Sequence, residues 1–537
     1  MDFKTRTARV LALVAVAVLA TACGGAGGAG GAGDGNAAAG PPQRGGTLTV
    51  LELASFAGGW PSGLDPATNT TGAANLSLMT AIYGGLFRLS ADEDGSNARV
   101  EPDLASGYDV SPDGKTVRIT IRDGVKFSDG TPFNAEAVAF NFNRDIKSTC
   151  TCAPKWPLAD NGITTEGNTV VLKFTRPYAP VINAMLVSNA NWIASPTALQ
   201  QLGQDKFRVT PVGAGPFKVE NNVLSSELRL TRNENYYKPG QPYLDKLVFK
   251  SIGGDQAAYQ AVQAGQAQAY EGMVTTPLIE QAQADKRVTL TVQPATSPYV
   301  IQLNTKAAPF NDQRAREAIY YATDVAAIRK GLFKDLYPVS QMFTAPGGLF
   351  HHDTVPGYRT YDLAKAKELV TQLGGLTVDL ATLKSYVAEQ VITALKSQWE
   401  AAGITVTMHT DELNAQIQRY NSGQWQIQLA TSGAWDPAAG TGVGFRFLSN
   451  RPFSGVDDPQ LDSLLNQAEA VTDPAQRDAL YQQAGKLMSD KAYAPFLLAD
   501  ARANLAARGV HGPGLTTKIP PLVVNNGIQW DSVWRSS

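Results

Sequence analysis

Histidine and cysteine are nearly missing from this 537-residue chain, with four of the one and three of the other. So few imidazoles and thiols leave little from which to build a metal centre, and His351 and His352, adjacent in a Gly/Pro-rich loop with no other His near them in sequence, read as solvated loop residues. Also lacking is any Lys/Arg cluster with interleaved aromatics, and the net charge is -2, so nucleic acid is not expected as a partner. No GxSxG elbow, HExxH pair or P-loop occurs, which removes the local signatures of serine hydrolases, zinc proteases and nucleotide hydrolases. No fixed-period repeat points to a solenoid. Beyond residues 10–20, no apolar run is long enough to cross a bilayer, which takes about 20 residues.

What is present begins at the N-terminus. Lys4, Arg6 and Arg9 form a basic head, residues 10–20 are unbroken apolar, and Thr21, Ala22 and Cys23 follow. A basic head, a short apolar core and small residues before a cut make a secretory signal, predicted over residues 1–22. Its ending on cysteine resembles a bacterial lipobox, although Ala20 stands at the position where that motif usually has Leu. Cys23 is thus expected to be lipidated and to become the first residue of the mature chain, held on the outer face of the plasma membrane. Residues 23–46 are rich in Gly and Ala and read as a flexible tether. Cys150 and Cys152 remain; an oxidising compartment favours pairing, while a ring closed over one residue is strained, so a disulfide is left open.

Some 500 residues then need two or three compact lobes, since a single core seldom grows so large. Apolar residues at 43% and charged residues at 18% are ordinary for a folded body. Strands are predicted at residues 47–51, 116–121, 169–174, 228–231 and 246–252, where apolar residues alternate or run together. Helices are predicted around 75–86, 135–145 with Asn134 as cap, 256–264, 314–322, 363–373 and 387–402. Strands and helices alternate along the chain, which predicts an α/β class.

Several blocks then fall in one order. Pro102-Asp103-Leu104-Ala105 leads to Ser111-Pro112-Asp113-Gly114, then to Ile121-Arg122-Asp123-Gly124-Val125-Lys126-Phe127-Ser128-Asp129-Gly130-Thr131-Pro132-Phe133. Pro211-Val212-Gly213-Ala214-Gly215-Pro216-Phe217, Arg232-Asn233-Glu234-Asn235-Tyr236, Leu303-Asn304-Thr305, Pro309-Phe310-Asn311-Asp312 and a closing block from Asp457 to Tyr481 follow. Together they resemble the dipeptide/oligopeptide/nickel solute-binding proteins of ABC importers, extracellular solute-binding protein family 5. Read as physics, the blocks are scaffold: Asp-Gly pairs turn the chain, Gly213 and Gly215 permit close backbone approach or positive φ, and Asn311-Asp312 suits a helix start.

The resemblance implies a type II periplasmic-binding-protein fold, a Venus flytrap of two main α/β lobes plus an inserted third. The expected boundaries are 47–82, 207–295 and 497–537 for the first lobe, 83–206 for the insertion and 296–496 for the other main lobe. It implies a monomer without cofactor or metal and without catalysis, which traps a small solute, foremost a peptide or peptide-like compound, and delivers it to the permease subunits. Alternatives are a surface sensor, a binder of oligosaccharide or metal complex, or an extracellular hydrolase. For the site, relatives carry an Asp in a Trp-containing loop that pairs with the peptide amine. The matching stretch is Ser432-Gly433-Ala434-Trp435-Asp436-Pro437. Asp436 is either that amine partner or a structural Asp-Pro turn, and Trp435 either a cleft contact or a core plug. Tyr299 and Trp60 fall where relatives edge the cleft, and Arg446 suits either a ligand carboxylate or a surface ion pair.

Overall fold

The computed structural model describes residues 40–53, 63–69, 76–148, 156–440, 442–522 and 526–536. The predicted signal, Cys23, Trp60, Cys150 and Cys152 lie outside the described residues, as does the predicted tether up to residue 39. The apolar alternation found in the sequence becomes real elements. Strands Thr116–Ile121, Thr169–Phe174 and Lys246–Ile252 and helix Ala135–Asp145 have the bounds the sequence predicts. Asn134 caps that helix by accepting from the Ala137 N–H at 3.0 Å. In Thr116–Ile121 the side chains of Val117, Ile119 and Ile121 are buried, while Arg118 and Thr120 face outward on the opposite phase.

Two larger sheets organise the body. The first has seven strands, in the order Val288–Val292, Ala503–Ala507, Ala269–Met273, Thr47–Leu53, Lys246–Ile252, Glu227–Arg232 and Phe217–Val223. At its centre Thr47–Leu53 runs parallel to both neighbours, with Thr47 opposite Lys246 and Val50 opposite Ala269. The second has five strands, in the order Ile404–Asp411, Leu376–Leu383, Ile427–Thr431, Pro298–Leu303 and Phe496–Ala499. A four-stranded antiparallel sheet, containing Ala105–Val110, Thr116–Ile121, Thr169–Phe174 and Leu158–Glu166, is built between two strands of the first sheet.

The chain passes between the two larger sheets twice, at residues 293–297 and 500–502. The passages are hydrogen-bonded to each other: Gln293 N–H donates to the Arg502 carbonyl at 2.8 Å and Asp500 N–H to the Ser297 carbonyl at 3.0 Å. Phe496–Ala499 belongs to the second sheet, so the return to the first comes after Ala499 and not at 497 as expected. The two glycines of the Gly213-Ala214-Gly215 block serve close approach, with ordinary φ: a Cβ on Gly213 would strike the Ile82 carbonyl, and one on Gly215 would lie 2.5 Å from the Gly84 nitrogen.

Candidate functional site

The passages set the site, because whatever lies beside them touches both sheets. Tyr299, one residue into Pro298–Leu303, pairs in register with Thr431. Its ring is buried, and burial, aided by nearby Asp500, pushes its phenol well above the usual range. Arg502 answers from the other passage, its Nε and Nη2 donating to Asp500 Oδ2 at 3.0 and 2.8 Å.

Trp435 follows the Ile427–Thr431 strand. Its N–H donates to the Leu522 carbonyl at 3.0 Å and its own carbonyl accepts from Leu349 N–H at 2.7 Å. At 4% exposure the indole is no open cleft wall. It does not plug the core of the five-stranded sheet either. It joins the apolar cluster of the seven- and four-stranded sheets, which holds Leu48, Val50, Leu186 and Trp530, and Trp435, Ala439 and neighbouring Leu349 are that cluster's members from between the two passages. One part of the molecule thereby reaches into the core of the other. Asn183 Nδ2, from the segment bearing the four-stranded sheet, reinforces this contact by donating to Asp436 Oδ2 at 2.7 Å. Ala179 N–H adds a bond to the Glu469 carbonyl at 2.8 Å.

Asp436 is buried among partners of its own. It is 1% exposed and its oxygens are taken: Arg477 Nη2 donates to them at 3.0 and 3.2 Å, Asn183 at 2.7 Å and the Ala438 N–H at 2.9 Å. Arg477 is itself buried over the rings of Phe350 and Tyr481, 4.9 and 5.8 Å from their centroids, and Asp436 holds its pKa above the ordinary value against burial. An incoming amine would have to displace a buried guanidinium. Of the two readings of Asp436, the Asp-Pro turn is the one this geometry supports, and the amine partner must be sought elsewhere.

Arg446 makes no ion pair among the described residues, so a surface salt bridge does not account for it. Its Nε donates to the Thr431 carbonyl at 3.2 Å and its Nη1 to the Tyr420 hydroxyl at 3.1 Å. The guanidinium lies over the rings of Phe445, Tyr420 and Phe453 at 5.3, 5.7 and 6.0 Å. A cation so seated at the end of a sheet strand, with no carboxylate of its own, can meet one from a ligand. The adjacent histidines are partnered, His351 with Asp353 at 3.2 Å and His352 with Asp478 at 2.8 Å. Among the described residues no group of three or more His, Cys, Asp or Glu could hold a metal ion.

The sequence reading missed Glu52 and Glu271. Thr47–Leu53 puts Leu48 and Val50 into the core on one face, and Glu52 continues that phase. An acid at a core phase was the signal available. Beside it, Glu271 lies on the adjacent Ala269–Met273 strand.

A profile of the bacterial extracellular solute-binding proteins, family 5 Middle, matches residues 99–452. The chain belongs to that family. It is a solute-binding protein, and the family is one of binding proteins, not enzymes. The glutathione-binding protein GsiB of Shigella boydii is 27% identical over 446 residues, covering 76% of this chain and 82% of GsiB. Among solved structures, the periplasmic binding protein DppA of Helicobacter pylori, in complex with the peptide STSA, is similar with a TM-score of 0.73, at 22% identity, over 92% of this chain and 99% of DppA. The oligopeptide-binding protein AppA of Bacillus subtilis, in complex with a nonapeptide, is similar with a TM-score of 0.74, at 20% identity, over 92% of this chain and all (100%) of AppA. The fold is accordingly the type II periplasmic-binding-protein fold expected from the sequence. No helix among the described residues is long and apolar enough to cross a membrane.

Proposed function

We propose that this protein captures a small peptide or peptide-like solute between its two main sheets and presents it to the permease of an ABC importer. The observation that carries the reading is the contact made by Trp435: its ring, from beside the five-stranded sheet, sits in the apolar cluster of the other part, while the chain joins the two parts by two short passages. Few connections and a separable contact are what a hinge-closing trap needs. Closure is driven by a ligand only if the ligand touches both parts, since differential affinity is what shifts the equilibrium. Tyr299 and Arg446 supply the second part's share of that surface, with Arg446 placed for a ligand carboxylate, and Trp435 joins it when the parts separate and uncover its ring. A solute of peptide size and class is supported by the glutathione and peptides named for the relatives.

The protein acts outside the membrane as a monomer, tethered by lipid on Cys23. Protein purified from its host without refolding should carry one small solute per chain, identified by native mass spectrometry. Adding that solute to stripped protein should shrink the radius of gyration in small-angle scattering. An unchanged radius at saturation, or steady turnover of the solute by pure protein, overturns the reading. Mass spectrometry of the N-terminal peptide checks the anchor, and Cys23→Ser should leave the protein unlipidated.

A further inference from the structure

The register of the seven-stranded sheet sets two acids side by side. Val50 lies opposite Ala269 and Leu51 opposite Tyr270 on parallel strands, and one step further brings Glu52 beside Glu271. Neighbouring strands are about 4.8 Å apart. The carboxylates lie one step past the last pair of the parallel ladder, toward the C-terminal edge of an α/β sheet, at which ligands are bound. Both are buried, at 7% and 5% exposure. Oε1 of Glu52 and both carboxylate oxygens of Glu271 are sealed from water without a hydrogen bond, and neither residue forms an ion pair among the described residues. A third group lies with them: the Ser77 hydroxyl, 1% exposed, faces Glu271 and works against the effect of burial on it, and it finds no partner outside this cluster. The Ser77 carbonyl, by contrast, is satisfied by Trp530 Nε1 at 2.9 Å. The cation closest in effect, Arg502, has its Nε and Nη2 on Asp500.

Proteins pair their buried charges, because a charge taken out of water without a partner is strongly unfavourable. Here two acids and a hydroxyl lie buried together, near Arg502 of the second passage between the sheets. We infer that Glu52 and Glu271, with Ser77, form a subsite for a cationic nitrogen of the solute, a primary ammonium foremost; the inference rests on the solute-binding reading above. An ammonium offers three N–H donors, and three bare carboxylate oxygens await them. A calcium-like ion would need six to eight oxygens, more than these two acids and one hydroxyl supply. Burial pushes Glu271 up to about 7, and burial together with Glu271 pushes Glu52 well above the carboxylate range. The pair thus tends to keep a proton when empty, leaving a charge that one ammonium neutralises. The subsite takes the place that Asp436, committed to Arg477, leaves vacant.

The test uses the mature chain stripped of solute. It is titrated calorimetrically with a panel of di- to pentapeptides, reduced glutathione and polyamines, and with the N-acetylated form of each. The expected result is that at least one amine-bearing member binds and that its acetylated form binds a hundredfold or more weaker, a comparison that needs no variant. Glu52→Gln and Glu271→Gln, each checked for an unfolding midpoint no lower than that of the wild type, should each weaken the amine form tenfold or more and leave the acetylated form as it was. Equal binding of free and acetylated forms, with solute-induced compaction intact, overturns the subsite and leaves the capture reading standing. So does stabilisation by calcium or nickel ions alone at the same two residues. Failure of the whole panel to bind or to compact the protein overturns the capture reading and the subsite with it.

Discussion

Asp436 and the Glu52–Glu271 pair are both acidic, both buried and both placed at or just past the C-terminal end of a sheet strand, yet the chain surrounds them in opposite ways. Asp436 receives a guanidinium, an amide and a backbone N–H. Glu52 and Glu271 form no ion pair among the described residues, and Glu52 Oε1 and both Glu271 oxygens are buried with no cation or backbone N–H on them. A buried charge that has been given partners is part of the scaffold, since removing either partner strands the other. A buried charge without partners costs stability in the empty protein and repays it when a partner arrives from outside. The Trp-containing loop, which family resemblance marks as the ligand's, therefore reads here as a latch between parts of the molecule, and the electrostatics of the cleft pass to the central strands of the other sheet.

The largest effect should come from breaking the satisfied pair. Arg477→Met leaves Asp436 buried with its amide and backbone donors alone, and should lower the unfolding free energy in chemical denaturation by about 3–5 kcal/mol. Should Arg477→Met instead keep full stability while losing solute binding, Asp436 would be a ligand residue and the contrast would collapse.

The unsatisfied pair predicts a pH dependence of opposite sense to that of an ion-paired acid. Glu271 titrates near 7 in the folded chain against an ordinary 4.5, so the folded state binds a proton more tightly than the unfolded one. Its contribution is fully present below about pH 4.5 and is lost as pH rises through about 7, on the order of 3–4 kcal/mol at most. Solute-free wild-type protein should lose stability over this window, and Glu271→Gln should lack that slope. A wild-type slope unchanged in the variant would show that Glu271 is compensated after all.

Trp435→Ala should act mainly on closure. Removing the ring from the shared cluster should cost about 1–3 kcal/mol of the closed state. Solute affinity should fall about tenfold or more, and the solute-free radius of gyration should rise. A loss of about 3–5 kcal/mol in unfolding free energy with affinity unchanged would return Trp435 to the role of a core plug.

The sequence made the frame legible to the residue in places, because the frame rests on local physics. Val117, Ile119 and Ile121 alternate with polar residues, Asn134 is a capping side chain, and Asp312 begins its helix as a cap to the Arg314 N–H. The ordered Asp-Gly, Gly-Ala-Gly and Asn-Asp blocks gave the fold by resemblance. The site was less legible because it depends on what meets across the passages. Nothing near residue 436 in sequence announces that Arg477 and Asn183 converge on its carboxylate. Glu52 did leave a trace, as an acid on the inward phase after Leu48 and Val50, but its neighbour Glu271 is supplied by a strand more than two hundred residues away through parallel pairing.

The smallest effect calibrates the rest. Arg118 and Glu166 form an ion pair on the four-stranded sheet, with side chains 42% and 55% exposed. Both charges keep most of their hydration, and water and salt screen the attraction between them. Arg118→Ala should lower the unfolding free energy by less than about 1 kcal/mol and leave solute affinity untouched. The difference from wild type should vanish in about 1 M salt, where the screening length is roughly 3 Å, whereas the deficit of Arg477→Met should persist because that pair is shielded from ions. If the Arg118 and Arg477 variants instead responded alike to salt, burial would not be what separates the paired acid from the exposed one, and the reading of the bare Glu52–Glu271 pair would lose its physical basis.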